Sequence, residues 1–204
     1  MFYLTGSVTG VKHHLDAGRI GFLKSPTTGD AIRSGWVWAA DNGCFGKNYI
    51  GDERWMRWLS GFSDDEKERC LFATAPDVVG DAAATLARSI PWLPEIRKAG
   101  YKAAFVAQDG LTIDTTPWDL IDVLFIGGTT AWKLSESAYS LIREAKARRK
   151  FVHVGRVNSQ KRLSAMAYIG ADSADGTFIA FGPELNGPKV IGWVDWIDNN
   201  PSMF

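Results

Sequence analysis

Eight short runs rich in apolar and β-branched residues alternate with longer segments that have helical spacing. The runs are FYLTG, IGFLK, WVWAAD, CLFATA, AAFVAQ, DVLFIGG, FVHVG and the stretch around Asp175. The helical pattern is clearest in PDVVGDAAATLARSIPWLPEIRKAG, SESAYSLIREAKARRK and SQKRLSAMAYIG. Near-continuous apolar strands are typical of a parallel sheet that helices cover on both faces. With eight such units, the sequence predicts an α/β fold in the form of a closed, compact (β/α)8 barrel of the TIM type.

The chain has 204 residues, which fits one domain spanning 1–204, and we find no repeat, low-complexity tract or linker that would divide it. Only about a dozen residues separate the first two strands. An open, doubly wound sheet therefore remains an alternative to the barrel. We expect the tail WVDWIDNNPSMF to add a short closing helix.

Charge and composition exclude several classes of function. The chain has 23 Lys and Arg against 23 Asp and Glu, so no overall field attracts nucleic acid or an anionic membrane. Binding of a polyanion would therefore need a local patch of positive charge. Neither a signal peptide nor a bilayer-spanning window is recognisable, which predicts a soluble, cytoplasmic protein with no membrane partner. Cys44 and Cys70 form neither a disulfide framework nor a CxxC metal site.

Polar or small residues follow six of the predicted strands. In a barrel of this kind, such residues converge on one mouth. They are Asp41 and Asn42, Asp77, Gln108 and Asp109, Gly127 and Gly128, Arg156 and Asn158, and Asp175. A helix N-cap explains any one of them at least as well, but six strand ends in register indicate a site. Carboxylates that can serve as nucleophile and as acid/base favour glycosyl transfer.

No metal or cofactor is predicted for this site. His13 and His14 are adjacent and would face opposite sides of a strand, and His153 inside an apolar run is interpreted as a core imidazole. The pair Gly127 and Gly128 lacks the spacing of a phosphate-binding loop. We expect this pair to let the backbone approach a flat ligand closely.

Five segments match, in order and spacing, the motifs of one family. ADNGCFG looks like SDSGGYQ or SDTGGFQ, ATAPDVVGD like a guanine-reading segment, FVAQDG like VQGG, and IGGTTAWKL like IGGLAVGE. HVGRVNSQKRL with IGADSADGT is similar to MGVGTPEDL with GVDMFDCV. From about Trp36 to Gly182, the chain resembles the tRNA-guanine transglycosylases. The likeness is closest to their short relatives in phages and bacterial genomic islands, which insert 7-deazaguanines into DNA.

The resemblance implies a base exchange that passes through a covalent bond between an Asp and the sugar. It assigns Asp175 as the nucleophile, Asp41 as the general acid/base and Asp172 as a structural neighbour that helps to place Asp175. Asp81 is the fallback for Asp77 as the residue that reads the guanine edge. The implied substrate contacts are Asn42, Gly43, Asp77, Gln108, Gly127, Gly128, Val154 and Gly155.

Departures from the family pattern influence the choice of partner. The zinc-binding CxCxxC is absent, as is the PTR that follows the nucleophile, and Cys44 replaces the second glycine of the acid/base motif. We therefore expect a barrel without the zinc subdomain, acting on DNA in preference to tRNA, in the host cytoplasm if the gene belongs to a phage. The incoming base would be 7-cyano-7-deazaguanine or a close derivative.

Nucleic acid would contact a basic patch near the seventh strand. Its expected members at the mouth are Arg156, Lys161 and Arg162. The stretch Lys146, Arg148, Arg149 and Lys150 either adds to this patch or forms a solvated helix face. Trp132 either holds an extruded nucleotide or packs in the fold. The alternatives to DNA base exchange are a tRNA-guanine transglycosylase, a hydrolytic N-glycosidase, and a non-catalytic module that binds nucleobases or nucleic acid.

Overall fold

Eight parallel strands close into a barrel in which each strand pairs with the next and the last pairs with the first. The computed structural model describes residues 1–200. The strands are Phe2–Thr5 (β1), Gly21–Lys24 (β2), Trp38–Ala40 (β3), Cys70–Thr74 (β4), Ala103–Ala107 (β5), Val123–Ile126 (β6), Phe151–Val154 (β7) and Ser173–Gly176 (β8). Every predicted run contains one strand, so the (β/α)8 prediction is confirmed and the open sheet is excluded.

Nine α-helices surround the strands within residues 1–200. They are Lys12–Asp16 (α1), Asp52–Ser60 (α2), Asp64–Glu68 (α3), Ala82–Ser89 (α4), Trp92–Lys98 (α5), Thr130–Lys133 (α6), Glu136–Ala147 (α7), Gln160–Ile169 (α8) and Pro183–Asn199 (α9). Short 3-10 turns cover Trp118–Leu120 and Ile179–Phe181. None of these helices is long and apolar enough to cross a membrane.

Several connections differ from a regular alternation with one helix between successive strands. Residues 25–37, all of them described, join β2 to β3 without a helix, and β5 reaches β6 through a 3-10 turn only. The predicted helical segment 76–100 forms two helices, α4 and α5, separated by Pro91, which cannot donate a helical hydrogen bond. The closing helix is longer than expected, because α9 starts at Pro183, in the first-turn position that favours proline. The last four residues of the predicted tail, 201–204, lie outside the described residues.

Two apolar layers hold the barrel together. The larger layer lies between the strands and the helices. The smaller one fills the inside of the barrel and consists of Leu4, Ala39, Phe72, Ala104, Val106, Val123 and Phe125. Alternate residues of a strand point to opposite faces. In β5, for example, Ala104 and Val106 belong to the inner layer, and Ala103, Phe105 and Ala107 belong to the outer one. The inner layer closes the interior, so that a ligand can enter only above it.

Candidate active site

A cavity of about 260 Å³ opens above the inner apolar layer at the carboxyl ends of the strands. Its floor includes Leu23, Val106 and Phe125. Nine residues predicted for the site line it: Asp41, Asn42, Asp77, Gln108, Gly127, Gly128, Gly155, Arg156 and Asp175. They follow or end the six strands from β3 to β8. Groups that are distant along the chain therefore share one pocket at the end of the barrel where active sites of this fold lie.

Asp175 is held on the cavity wall by two hydrogen bonds. Its Oδ2 lies 3.0 Å from His153 Nε2, and its Oδ1 accepts a bond from the backbone N–H of Arg156 at 3.3 Å. His153 is fully buried, and its Nδ1 lies 2.8 Å from Ser173 Oγ. An ionised carboxylate only accepts hydrogen bonds, so a neutral imidazole that pairs with an ionised Asp175 carries its proton on Nε2 and accepts from the serine at Nδ1. The imidazole thereby fixes one carboxylate oxygen of Asp175.

Asp41, directly after β3, is half-buried and has a raised pKa. Loss of solvent around the carboxyl, reinforced by the charges of Asp175 and Asp77, raises the pKa of Asp41 to about 7. The backbone N–H of Gly43 donates to Asp41 Oδ2 at 3.2 Å and opposes that shift. Near neutral pH, Asp41 therefore populates both its protonated and its ionised form. A group with this pKa can give and take a proton in the same catalytic cycle.

Asp77 is buried beside two amide side chains. Asn42 Nδ2 donates to Oδ1 at 2.8 Å, and Gln108 Nε2 donates to Oδ2 at 2.6 Å. Burial raises the pKa of Asp77, while these two hydrogen bonds lower it. Each oxygen keeps a further lone pair, so Asp77 can accept two more hydrogen bonds from the cavity side. The carboxylate is thus arranged to read a ligand edge that carries two neighbouring donors.

The amides themselves have little capacity left for a ligand. Asn42 Nδ2 also donates to Ala75 O at 2.7 Å, and Asn42 Oδ1 accepts from Cys44 N at 2.7 Å. Gln108 Oε1 accepts from the N–H groups of Gly80 and Gly128, both at 2.9 Å. One N–H of Gln108 remains available, and none of Asn42 does. Asn42 therefore positions the loop and Asp77, whereas Gln108 can still donate to a ligand.

Three glycines permit the close packing of this wall. A Cβ on Gly127 would lie 2.6 Å from Val106 and 3.0 Å from Gln108 Nε2. One on Gly128, which has a φ of 64°, would lie 2.6 Å from the ring of Trp132. One on Gly155 would lie 2.7 Å from Phe125 and 3.3 Å from Asp175 Oδ2. Any side chain at these positions would displace the groups that shape the cavity.

Two cations lie behind Asp175, and sequence analysis identified only one of them. Lys133 is buried, its Nζ donates to Gly155 O at 2.5 Å, and burial together with the charge of Arg156 lowers its pKa to about 8. Arg156, at a φ of 59°, donates to Gly128 O. Its guanidinium lies 4.7 Å from the ring centroid of Phe45. Arg156 is therefore engaged inside the mouth rather than extended toward solvent.

Phe45 is a residue at the cavity mouth that sequence analysis missed. Its side chain is 67% exposed although it lies at the mouth of the cavity. An exposed aromatic ring beside a pocket offers a stacking surface for a planar ligand. The sequence signal was its place in the loop after β3, four residues beyond Asp41.

Several predicted residues do not line the cavity. Val154 points outward into the layer between strands and helices, and Gly43 contributes only its N–H to Asp41. Lys161 and Arg162 are exposed on the first turn of α8, which starts at the mouth end. Asp81, the fallback for Asp77, caps α4 by accepting from Ala84 N at 2.9 Å.

Three other residues that the sequence analysis considered for the site, Asp109, Asn158 and Trp132, contact other parts of the protein. Asp109 accepts from Thr129 N and Oγ1 at 2.7 and 2.6 Å, and Asn158 Oδ1 accepts from Phe178 N at 3.0 Å. The ring of Trp132 packs against the core. Within residues 1–200, no group of three or more His, Cys, Asp or Glu side chains is arranged to hold a metal ion.

The basic stretch at 146–150 corrects an expectation. It lies at the amino ends of the strands, opposite the mouth, because Lys150 directly precedes β7. Lys146 pairs with Asp172 at 2.6 Å, and Asp172 Oδ2 accepts from Val152 N at 2.8 Å. Asp172 therefore anchors the start of β8 and makes no contact with the mouth. These cations do not extend the patch formed by Lys161 and Arg162.

Comparison with known proteins supports the fold alone. No protein-family model matches the chain, and neither does any curated protein. A mutant tryptophan synthase alpha-subunit from Pyrococcus furiosus superimposes with a TM-score of 0.52 at 14% identity, covering 95% of this chain and 94% of that one. The 3-hexulose-6-phosphate synthase from Salmonella typhimurium gives 0.55 at 15% identity, covering 94% and 97%. At such identities, the likeness describes a shared barrel.

Proposed function

We propose that this protein is an enzyme, a transglycosylase that exchanges guanine in DNA for a 7-deazaguanine such as 7-cyano-7-deazaguanine. The observation that carries the proposal is the meeting of Asp41, Asp77 and Asp175 around one cavity. Their environments differ in the way that the three roles of acid/base, base reader and nucleophile require. The motif resemblance described above gives the reaction class, which a fold alone does not give.

In the first half-reaction, a carboxylate oxygen of Asp175 attacks the anomeric carbon of a deoxyguanosine residue. A bond forms between that oxygen and the carbon while the bond to the base nitrogen breaks, and protonated Asp41 gives its proton to the departing guanine. In the second half-reaction, Asp41 takes a proton from the incoming deazaguanine. The nitrogen of that base then displaces Asp175 and restores the free carboxylate.

The order of the strands supports this division of roles. In a closed barrel with sequential strand order, β4 and β8 lie on opposite sides of the mouth. A purine whose sugar meets Asp175 at the end of β8 therefore directs its far edge toward Asp77, beyond β4. The two lone pairs that Asp77 keeps match the ring N–H and the exocyclic amine of a guanine edge.

Neighbouring groups prepare the site for this chemistry. His153 and the backbone N–H of Arg156 orient the carboxylate of Asp175 before substrate enters. The positive charge of Lys133 behind Gly155 offsets part of the repulsion among the three carboxylates. Phe45 offers its ring to the base or to a neighbouring nucleotide.

A base stacked in a duplex hides its anomeric carbon, so the target nucleotide must be extruded or lie in single-stranded DNA. The decisive experiment is incubation of the protein with labelled 7-cyano-7-deazaguanine and guanine-containing DNA, with tRNA in a parallel sample. We expect label in DNA, and a loss of at least about a thousandfold on Asp175→Asn.

Asp81→Asn is the matched control. It makes the same change near the mouth, and Asn caps a helix as well as Asp does. Label uptake that survives Asp175→Asn would refute the assigned nucleophile, and label in tRNA alone would refute the DNA assignment. Guanine release that continues over many turnovers without an added acceptor would instead identify a hydrolytic N-glycosidase, because base exchange without an acceptor stops at the covalent intermediate. Base binding without any turnover would identify a binding module.

A further inference from the structure

We infer that Thr74 determines base specificity by donating a hydrogen bond from its hydroxyl to an exocyclic oxygen of the bound purine. This inference rests on the proposed function, because it takes a guanine-type base as the ligand. Thr74 has no role in the chemistry described above, and no sequence motif singled it out. Its position in the cavity and its unused hydroxyl carry the argument.

Thr74 is the last residue of β4, is fully buried and lines the cavity. Its Oγ1 has no hydrogen-bond partner within residues 1–200. A buried hydroxyl without a partner costs stability, so such a group in a native structure calls for an explanation. A ligand that completes the bond explains why a threonine stands there instead of the isosteric valine.

The position of Thr74 limits which part of a ligand it can reach. Alternation along β4 directs Phe72 and Thr74 to the inside of the barrel, and Phe72 belongs to the inner apolar layer. Thr74 therefore lies just above that layer and below Asp77. The opposite wall carries Asp175, so Thr74 meets the edge of the base that is farthest from the sugar.

Most hydrogen-bond donors near that edge of the base are already used within the protein. Both N–H groups of Asn42 are bound to Ala75 O and Asp77, and one of the two on Gln108 is bound to Asp77. A guanine edge presents two donors followed by one oxygen acceptor. Asp77 can accept from the two donors, which leaves the oxygen in need of a donor. The hydroxyl of Thr74 supplies one, either alone or beside the remaining N–H of Gln108.

The test compares the affinity of two free bases for the parent protein, Thr74→Val and Thr74→Ser by equilibrium dialysis. Guanine carries the exocyclic oxygen and the ring N–H beside it, and 2-aminopurine lacks both groups. The effect of Thr74 is therefore measured for each base separately, as the ratio of variant to parent affinity. We expect Thr74→Val to bind guanine about tenfold more weakly, the loss typical of an unmade hydrogen bond to a buried acceptor. The same variant should bind 2-aminopurine within about twofold of the parent, and Thr74→Ser should bind guanine as the parent does.

A second measurement separates this role from a structural one. Valine replaces the unpartnered hydroxyl by a methyl group of the same shape, so Thr74→Val should raise the Tm of the free protein while it weakens guanine binding. A lower Tm would mean that the hydroxyl is satisfied within the protein. That result, unchanged guanine affinity, or equal losses for the two bases would overturn the inference.

Failure of the two proposals can be distinguished. If the parent discriminates between the bases through Thr74 but never exchanges them, the transglycosylase proposal fails and the specificity role stands. If exchange proceeds while Thr74→Val keeps full discrimination, only the specificity role fails. A parent protein that binds no guanine would refute both.

Discussion

The carboxyl groups of Asp41 and Asp175 share one cavity but have different surroundings. Asp41 has a raised pKa because it has lost solvent and faces two other carboxylates. Asp175 has instead a buried imidazole and a backbone N–H as hydrogen-bond donors. In the proposed mechanism, these different surroundings suit Asp41 to donate a proton and Asp175 to act as the nucleophile. Because the two carboxyl groups have different neighbours, the proposed role of each can be tested by its own measurement.

The pH dependence of the reaction should report the acidity of Asp41. In the proposed mechanism, the first half-reaction needs Asp41 protonated, so kcat/KM for DNA should be constant from pH 5 to about 7 and fall tenfold per pH unit above it. Asp41→Asn should remove most of the activity at every pH. Initial rates of guanine release between pH 5 and 9 measure this profile. A profile that stays flat up to pH 9 would exclude Asp41 as the proton donor.

Stability gives an independent check on the same group. Because the pKa of Asp41 is raised from 3.8 to about 7 on folding, its stabilising contribution is complete below pH 4 and is lost as the pH rises to 7. Asparagine does not titrate. The unfolding free energy of Asp41→Asn, relative to the parent, should therefore grow by about 2 to 4 kcal/mol between pH 4 and 7. A difference that does not vary with pH in urea titrations would contradict the raised pKa.

His153 is expected to act on the rate and not on substrate binding. It orients Asp175 without facing the substrate, so His153→Leu should lower kcat about 10- to 100-fold and leave KM for DNA nearly unchanged. His153→Gln should recover part of the rate, because its amide N–H can donate to Asp175 Oδ2. Steady-state kinetics of the two variants measure the difference. Equal rates for Leu and Gln, or a change confined to KM, would reduce His153 to a packing residue.

At the level of strands, much of the site follows from the sequence. Residues after the strands of a parallel barrel meet at one end, so Asp41, Asp77, Gln108 and Asp175 could be predicted to converge. Alternation along β7 could also have corrected one assignment. If Gly155 faces the inside of the barrel, so does His153, whereas Val154 between them points outward. His153 was judged only by its apolar neighbours, which conceal this alternation.

Other features of the site depend on distances between strands, which a single sequence does not contain. The pairing of His153 with Ser173 brings Asp175, two residues further along β8, within reach of the imidazole. The saturation of Asn42 by Ala75 and Asp77 likewise requires the register between β3 and β4. Lys133 gave no signal at all, because lysine on a helix normally faces solvent. Shared hydrogen bonds and buried charges thus emerged only from the fold.

Across the whole molecule, positive and negative side chains are equal in number, so the positions of the exposed cations matter more than the net charge. The formal net charge is zero, yet exposed cations occur at both ends of the barrel. Lys161 and Arg162 lie at the mouth end, and Lys102 and Arg149 line a concave surface at the opposite end. Only the first pair lies near the cavity. The affinity for a nucleic acid that enters the cavity should therefore depend on Lys161 and Arg162 and not on Lys102 and Arg149.

This asymmetry yields a test in which both double variants lose the same charge. Replacing Lys161 and Arg162 by Gln should weaken DNA binding and reduce the slope of log affinity against log salt by about 0.7 to 0.9 for each lost phosphate contact. Replacing Lys102 and Arg149 by Gln should change neither quantity, because a strand that enters the mouth does not reach the other end. Binding isotherms of single-stranded DNA over a range of salt concentrations measure both. Equal losses of DNA affinity in the two double variants would mean that binding responds only to overall charge. A loss confined to the Lys102 and Arg149 variant would place the bound DNA at the end of the barrel opposite the proposed active site.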